Sequence, residues 1–381
     1  MTKVRPIFLS LFLVAAIVVV NGCAAPSPAP SPTPPPKQWT FKIAEVAPAQ
    51  SSRGCALLWF AQEVENRTDG QVKFEIYWGA ALGSTSEMVP LVSAGAVDMA
   101  ICFAGYFPAQ FPLETVGLVM YNTETPYGAI KATHELQTTY EPLLKEQRQN
   151  NIRYLIPYVT ARGGFLSHVL IRRVEDVKGL RIRATGETAS MVRQWGGVPI
   201  SLPAKEIYEA FDKGVVDAGV DFFHNIKPYR YSEVIEYVIL AGFGPMALSY
   251  FGFNFDSWNQ LPVDLQETLD KVADDYTTVY AYATAKGEEA DLRFAEQEGV
   301  EIIEMAPEEK RRFREIGFQP VVDKWIAEKE AEGLPAGEMW QKYESLTQKY
   351  EKMWPDYPKG AAPGWDKVKG TAEPFMEMLL K

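Results

Sequence analysis

Histidine and cysteine are scarce in this chain, with three of each in 381 residues. His134, His168 and His224 lie far apart and no CxxC occurs, so no zinc site of ordinary ligand spacing is encoded. The familiar catalytic signatures are missing as well: there is no GxSxG elbow, no HExxH and no GxxxxGK[ST] loop. The nearest approach to a dinucleotide loop, Gly242-Phe243-Gly244-Pro245-Met246-Ala247, runs into Leu248-Ser249-Tyr250-Phe251. That continuation reads as a strand, whereas a dinucleotide loop opens a helix. Carboxylates such as Glu45 and Asp98 could be imagined as an acid and a base. Among 49 acidic residues such a pair carries no weight. Positive charge is not in excess either. The formal net charge is −11, which speaks against a nucleic-acid partner while leaving an anionic ligand open, because a site is set by local charges.

The N-terminus supplies the clearest positive signal. Lys3 and Arg5 precede an apolar run from Ile7 to Val20, shorter than the roughly 20 residues a membrane span needs. The run ends at Val20-Asn21-Gly22-Cys23, which resembles the lipobox of bacterial lipoproteins. On that reading residues 1–22 are a signal peptide and Cys23 is the lipidated first residue. A plain secretory signal and an uncleaved anchor are the alternatives, and all three put the remainder outside the cytoplasm. Residues 23–38 continue as a proline-dense stretch suited to extended polyproline II at ~3.1 Å per residue, a stalk above an anchor. Cys55 and Cys102 then remain; an exported compartment permits a disulfide, but two buried free thiols are the expectation.

From Trp39 onward strand and helix patterns alternate, which implies βαβ units and a largely parallel sheet. Strands are expected at 39–46, 71–78, 96–101 and 152–159, with helices at 51–68, about 84–95 and 126–148. A second run follows, with strands at 165–171, 180–184, 198–202 and 215–220 and helices at 187–195 and 203–213. It suggests a second lobe. Residues 262–299 keep helical spacing through Leu265, Leu269, Val272, Tyr276, Val279 and Ala283, resumed at Ala290 and Phe294. A coiled-coil dimer is the competing reading, but the heptad spacing slips too soon. The expected organisation is lobe I over 39–160, lobe II over 161–255, a long helix and return strand over 256–300, and charged C-terminal helices over 301–381.

One segment stands out as binding machinery. Asp176-Val177-Lys178-Gly179-Leu180-Arg181-Ile182-Arg183 places an arginine at the carboxyl end of a strand, the end that lines ligand crevices in open α/β sheets. An arginine there can grip a carboxylate through two parallel, charge-assisted hydrogen bonds. Gly196-Gly197-Val198-Pro199, Lys205-Glu206-Ile207-Tyr208-Glu209-Ala210-Phe211 and Gly214-Val215-Val216-Asp217-Ala218 follow it. Arg67-Thr68-Asp69-Gly70-Gln71-Val72, Leu82-Gly83, Glu87-Met88 and Gly95-Ala96-Val97-Asp98-Met99 precede it. In this order and spacing, from about residue 40 to 300, the chain resembles the solute-binding receptors of tripartite ATP-independent periplasmic (TRAP) transporters, of the dicarboxylate-receptor type.

The resemblance implies an α/β, two-lobe periplasmic-binding-protein-like fold with a long helix bracing both lobes, closing over a small organic acid. It implies no catalysis and no cofactor, and a separate ion-driven permease as partner. Arg183 falls on the family's carboxylate-pairing arginine. Arg162 lies near, but not clearly in register with, a second basic position. Asp221 occupies a place where the family commonly has a ligand-facing residue. It could accept from a ligand hydroxyl, help hold a cation beside the ligand, or cap a helix. Phe103, Tyr106 and Phe107, and Phe222, Phe223 and His224, fall at crevice-facing loops where rings could stack on a ligand. Core packing is the expectation for Phe107 and Phe222. The rivals are a receptor for an ATP-driven importer or chemosensory system, and a secreted α/β hydrolase.

Overall fold

The computed structural model describes residues 37–120, 123–202 and 206–380. The chain opens with β1 (Trp39–Ala44), α1 (Ser52–Arg67), β2 (Val72–Tyr77), α2 (Met88–Ser93) and β3 (Met99–Cys102), with β1 pairing in parallel to both β2 and β3. Local chemistry sets these boundaries. Ser51 is the N-cap of α1, its hydroxyl accepting from the Gly54 amide at 3.0 Å. Asp69 and Gly70 take positive φ just past the helix end, where the chain turns into β2. Next come α3 (Pro126–Thr139), α4 (Glu141–Gln149) and β4 (Ile152–Tyr158). The single helix expected over 126–148 is thus two, broken at Tyr140. Pro142 in the first turn of α4 has no amide to donate to a preceding turn, so it starts a helix more readily than it continues one.

The second half contains β5 (Gly163–Ser167), β6 (Arg181–Arg183), α5 (Gly186–Gln194), β7 (Val198–Ile200), α6 (Ile207–Asp212), β8 (Ala218–Phe222) and β9 (Tyr237–Phe243). β10 (Ser249–Asn254), α7 (Phe255–Trp258), α8 (Val263–Gln297) and β11 (Glu301–Glu304) follow. The first three residues of the helix expected at 203–213 lie outside the described residues. Two sheets result, ordered β2-β1-β3-β10-β4 and β11-β9-β5-β8-β6-β7. β10 returns from the second half of the chain to sit antiparallel between β3 and β4.

The chain therefore passes between the sheets at Val159–Arg162, at Gly244–Leu248 and along α8. The first two passages are bonded to each other, the Thr160 amide donating to the Met246 carbonyl at 3.1 Å and the Met246 amide to the Thr160 hydroxyl at 2.9 Å. Gly244 is obligatory here, because a Cβ would lie 1.6 Å from the Thr123 carbonyl oxygen. α8 packs on α1 and α3 and also meets β11 and the Phe223–Asn225 turn. Its Leu269, Val272 and Tyr276 join the larger core while Ala295 joins the smaller core of the second sheet. Tyr280 in mid-helix donates to the Val159 carbonyl of the first passage.

α9 (Pro307–Phe313), α10 (Gln319–Ala331), α11 (Ala336–Glu351) and α12 (Trp365–Leu380) complete the fold. A π-helical turn, Arg314–Phe318, joins α9 to α10. There the Trp195 indole N–H donates to the Phe313 carbonyl at 2.9 Å, and Gly317 leaves room for the ring. These charged helices also contribute to the core, burying Val321, Val322, Trp340 and Tyr343. Cys55 and Cys102 are buried free thiols.

Candidate functional site

β1, β3 and β4 run the same way, so their carboxyl ends share one edge of the first sheet. β6, β7 and β8 do the same in the second sheet. The chain passes from the end of β4 to the start of β5 in four residues, which brings those two edges to a common crevice.

On the second sheet, Arg181 and Arg183 diverge in their partners. Arg181 is bound to Asp217, its Nη2 donating to Oδ1 at 2.6 Å. Arg183 is half-buried and donates to main-chain carbonyls: Nε and Nη2 to Leu202 at 3.1 and 3.0 Å, Nη1 to Val220 at 3.4 Å. Among the described residues no carboxylate forms an ion pair with it. Asp221 lies near enough to feel its charge, but is buried and already occupied. Its Oδ1 accepts from the Phe222 amide and Asn225 Nδ2, both at 2.8 Å, and its Oδ2 from the Tyr231 hydroxyl at 3.4 Å. Burial raises its pKa, an effect the Arg183 charge and these bonds oppose. Of the roles open to Asp221, this geometry is that of a turn cap.

Phe222 and Phe223 exchange the places expected of them relative to the crevice. β8 ends at Phe222, so the strand alternation stops there, and Phe223 drops into the core of the second sheet with 1% exposure. Phe222 remains half-buried and stacks on His224, ring centres 5.5 Å apart. His224 keeps an exposed edge but is crowded by protein. That burial and the Arg53 guanidinium push its imidazole down to about 4.

Across the crevice, Glu45 follows β1, Phe103 follows β3 and Tyr158 ends β4. Glu45 is fully buried and accepts from Arg53 Nη2 at 2.7 Å. Arg53 lies over the Tyr158 ring at 4.5 Å. Burial works against the Arg53 charge, but Glu45 holds its pKa above the ordinary value. Phe103 packs between Tyr106 and Tyr158, at 5.8 and 6.2 Å. Phe107 is buried in the core. Neither Glu45–Arg53 nor Tyr158 was marked by any sequence motif as part of the site.

Arg162 stands apart. Its Nε donates to Glu288 of α8 at 2.8 Å, and its guanidinium lies 5.3 Å from the Tyr357 ring. With Phe223 it lines a small hollow of about 20 Å³. Glu288 is fully buried, so Arg162 ties the first passage to the bracing helix.

A cavity of ≈ 460 Å³ opens beside the crevice, lined by Phe103 and Tyr106, by Met246 of the second passage and by Thr185–Thr188 just beyond Arg183. Val321, Lys324 and Trp325 of α10 form its outer wall. The Trp325 indole donates to the Thr115 hydroxyl at 2.8 Å, fastening α10 to the first lobe. Among the described residues no group of three His, Cys, Asp or Glu side chains could hold a metal ion. No helix among them is long and apolar enough to cross a membrane. Cys23 lies outside the described residues.

The family model described as bacterial extracellular solute-binding protein, family 7, matches residues 43–329. A solute-binding protein from Albidiferax ferrireducens is 26% identical over 68% of this chain and 76% of its own length. The C4-dicarboxylate-binding periplasmic protein DctP of Rhodobacter capsulatus is 24% identical over 77% of this chain and 89% of its own. Among solved structures, a TRAP periplasmic solute-binding protein from Desulfovibrio salexigens, an open complex, superposes with TM-score 0.75 at 25% identity. The superposition covers 82% of this chain and 96% of that one.

Proposed function

Because the chain belongs to the bacterial extracellular solute-binding proteins of family 7, the receptors of TRAP transporters, we propose that it captures a small carboxylate-bearing organic anion between its lobes and delivers it to a membrane permease. Relatives of this family are receptors, and the chain is a receptor and not an enzyme. The observation that carries the ligand assignment is Arg183, a half-buried guanidinium at the carboxyl edge of β6 whose partners are main-chain carbonyls. A guanidinium has five N–H donors, of which three are engaged here, leaving one on each terminal nitrogen. Those two meet a carboxylate side by side, with charge-assisted bonds stronger than any neutral carbonyl provides.

Closure follows from geometry. A ligand held by Arg183 on one sheet edge meets Phe103 and Tyr106 on the other only when the lobes approach, so ligand favours the closed state. The closed surface is what the permease recognises. The same reading anchors the receptor to the membrane through lipidated Cys23 on its proline-dense stalk, which the Val20-Asn21-Gly22-Cys23 sequence supports.

The test is a thermal-shift screen with small organic acids, joined to mass spectrometry of the denatured protein to detect an acid already bound. A ligand at about 100 times its Kd stabilises by ~2.7 kcal/mol, a readily visible shift. An acid that shifts the protein supports the reading. The absence of both a shift and a co-purified acid sinks it.

A further inference from the structure

The charges around the crevice are unevenly compensated. Arg53 is bound to the fully buried Glu45, Arg162 to the fully buried Glu288, and Arg181 to Asp217. Lys324 and Lys329, at the rim of the cavity, pair with Glu328 and Glu332. His224 is uncharged at neutral pH. Among the described residues this leaves Arg183 as the one crevice cation with no acidic partner. The surrounding walls are ring-rich: Phe103, Tyr106, Tyr158 and Phe222 all keep exposed or half-exposed faces, Tyr106 at 56%. The cavity next to them adds Met246 and Trp325. Asp221, close enough to feel the Arg183 charge, has its oxygens engaged by the Phe222 amide, Asn225 and the Tyr231 hydroxyl and offers little to a hydroxyl-rich ligand.

We infer that the crevice selects a monocarboxylate with a flat aromatic body, and that Glu45 sets this valence by neutralising Arg53. The inference rests on the receptor reading above and narrows it. A second carboxylate on the ligand would have to leave water without a free cation to meet it, a desolvation cost with no return. A sugar acid would lay hydroxyls against the Phe103 and Phe222 rings, whose faces offer no ordinary hydrogen-bond partner. An aromatic ring there stacks edge-on or offset against Phe103, Tyr106 or Phe222 while its carboxylate engages Arg183.

Titration calorimetry of the full chain with benzoate, phenylacetate, succinate and galacturonate, repeated on Arg183→Ala, separates the two levels of the argument. The expected result is benzoate or phenylacetate binding at least about tenfold tighter than succinate or galacturonate, about 1.4 kcal/mol, with all binding lost in Arg183→Ala. Tighter binding of succinate or galacturonate, still Arg183-dependent, overturns the aromatic monocarboxylate while leaving the receptor standing. Lack of binding by all four acids overturns the aromatic monocarboxylate, and the receptor reading falls with it only if the thermal-shift screen and the mass spectrometry are empty as well. Glu45→Gln keeps an oxygen for the Ala47 amide but releases the Arg53 charge. In that variant succinate affinity should rise about tenfold relative to benzoate, and an unchanged ratio in a folded variant removes Glu45 from the argument.

Discussion

Arg53, Arg162 and Arg183 carry the same charge around one crevice, and their partners decide what each can do. Arg162 spends its charge on Glu288, which has no exposure of its own. Replacing Arg162 by alanine leaves that carboxylate buried and unpaired. Breaking such a pair from one side costs about 3 kcal/mol. Urea unfolding of Arg162→Ala should therefore show that loss, with ligand affinity in the folded protein little changed. A large loss of affinity at unchanged stability would return Arg162 to the binding site. The place of Arg183 at the carboxyl end of a strand was legible in the sequence, because a strand and its end are local features. The commitment of Arg162 was not, since its partner lies 126 residues away. Phe223 misled for a related reason. It was expected in a loop facing the crevice, but the turn that follows β8 folds its ring into the core of the second sheet instead.

At the scale of elements, the α3–α4 pair hides a buried acidic network. Glu114 is fully buried and accepts from Gln137 Nε2 at 3.0 Å, and Glu146 accepts from the Leu113 amide at 3.2 Å. Burial, and for Glu114 the nearby Glu146 charge, raises both pKa values, that of Glu146 to about 7. A carboxyl group whose pKa is higher folded than unfolded binds more protons in the native state. Its stabilisation is complete below pH about 4.5 and is lost as pH rises through 7. Asp291, also raised to about 7, acts in the same direction. His224 acts the other way, but only as pH falls below 6.5. Stability measured by urea should thus decline from pH 6.5 to pH 8, and Glu146→Gln should flatten that decline. A wild-type curve that rises over this interval would contradict the account. Most elements were legible from periodicity, as α8 with its long apolar stripe illustrates. The break at Tyr140 and the π-turn at Arg314–Phe318 were not. The first depends on one proline's missing donor, the second on an indole arriving from α5's end.

At the largest scale, the described residues form two sheets joined by two bonded passages and a helix, and the proposed ligand would be gripped between their opposing carboxyl edges. The two-lobe architecture could be anticipated, but the return of β10 to the first sheet could not, because strand order depends on long-range pairing that composition does not record. Nor was the role of α10 in walling the cavity, since its charged residues masked the buried Val321 and Trp325 face. A ligand spanning the crevice should slow amide hydrogen exchange in the Phe103–Tyr106 loop and at Thr185–Thr188 together, although these belong to different lobes. Protection of one lobe alone would mean binding without closure. The most direct test of the central claim is calorimetric titration of the best-binding acid into wild type and Arg183→Ala, with folding of the variant checked by its unfolding midpoint. The account predicts a clear binding isotherm for the wild type and none for a folded Arg183→Ala. Equal affinity in the two proteins would show that the carboxylate is held elsewhere, and would contradict it.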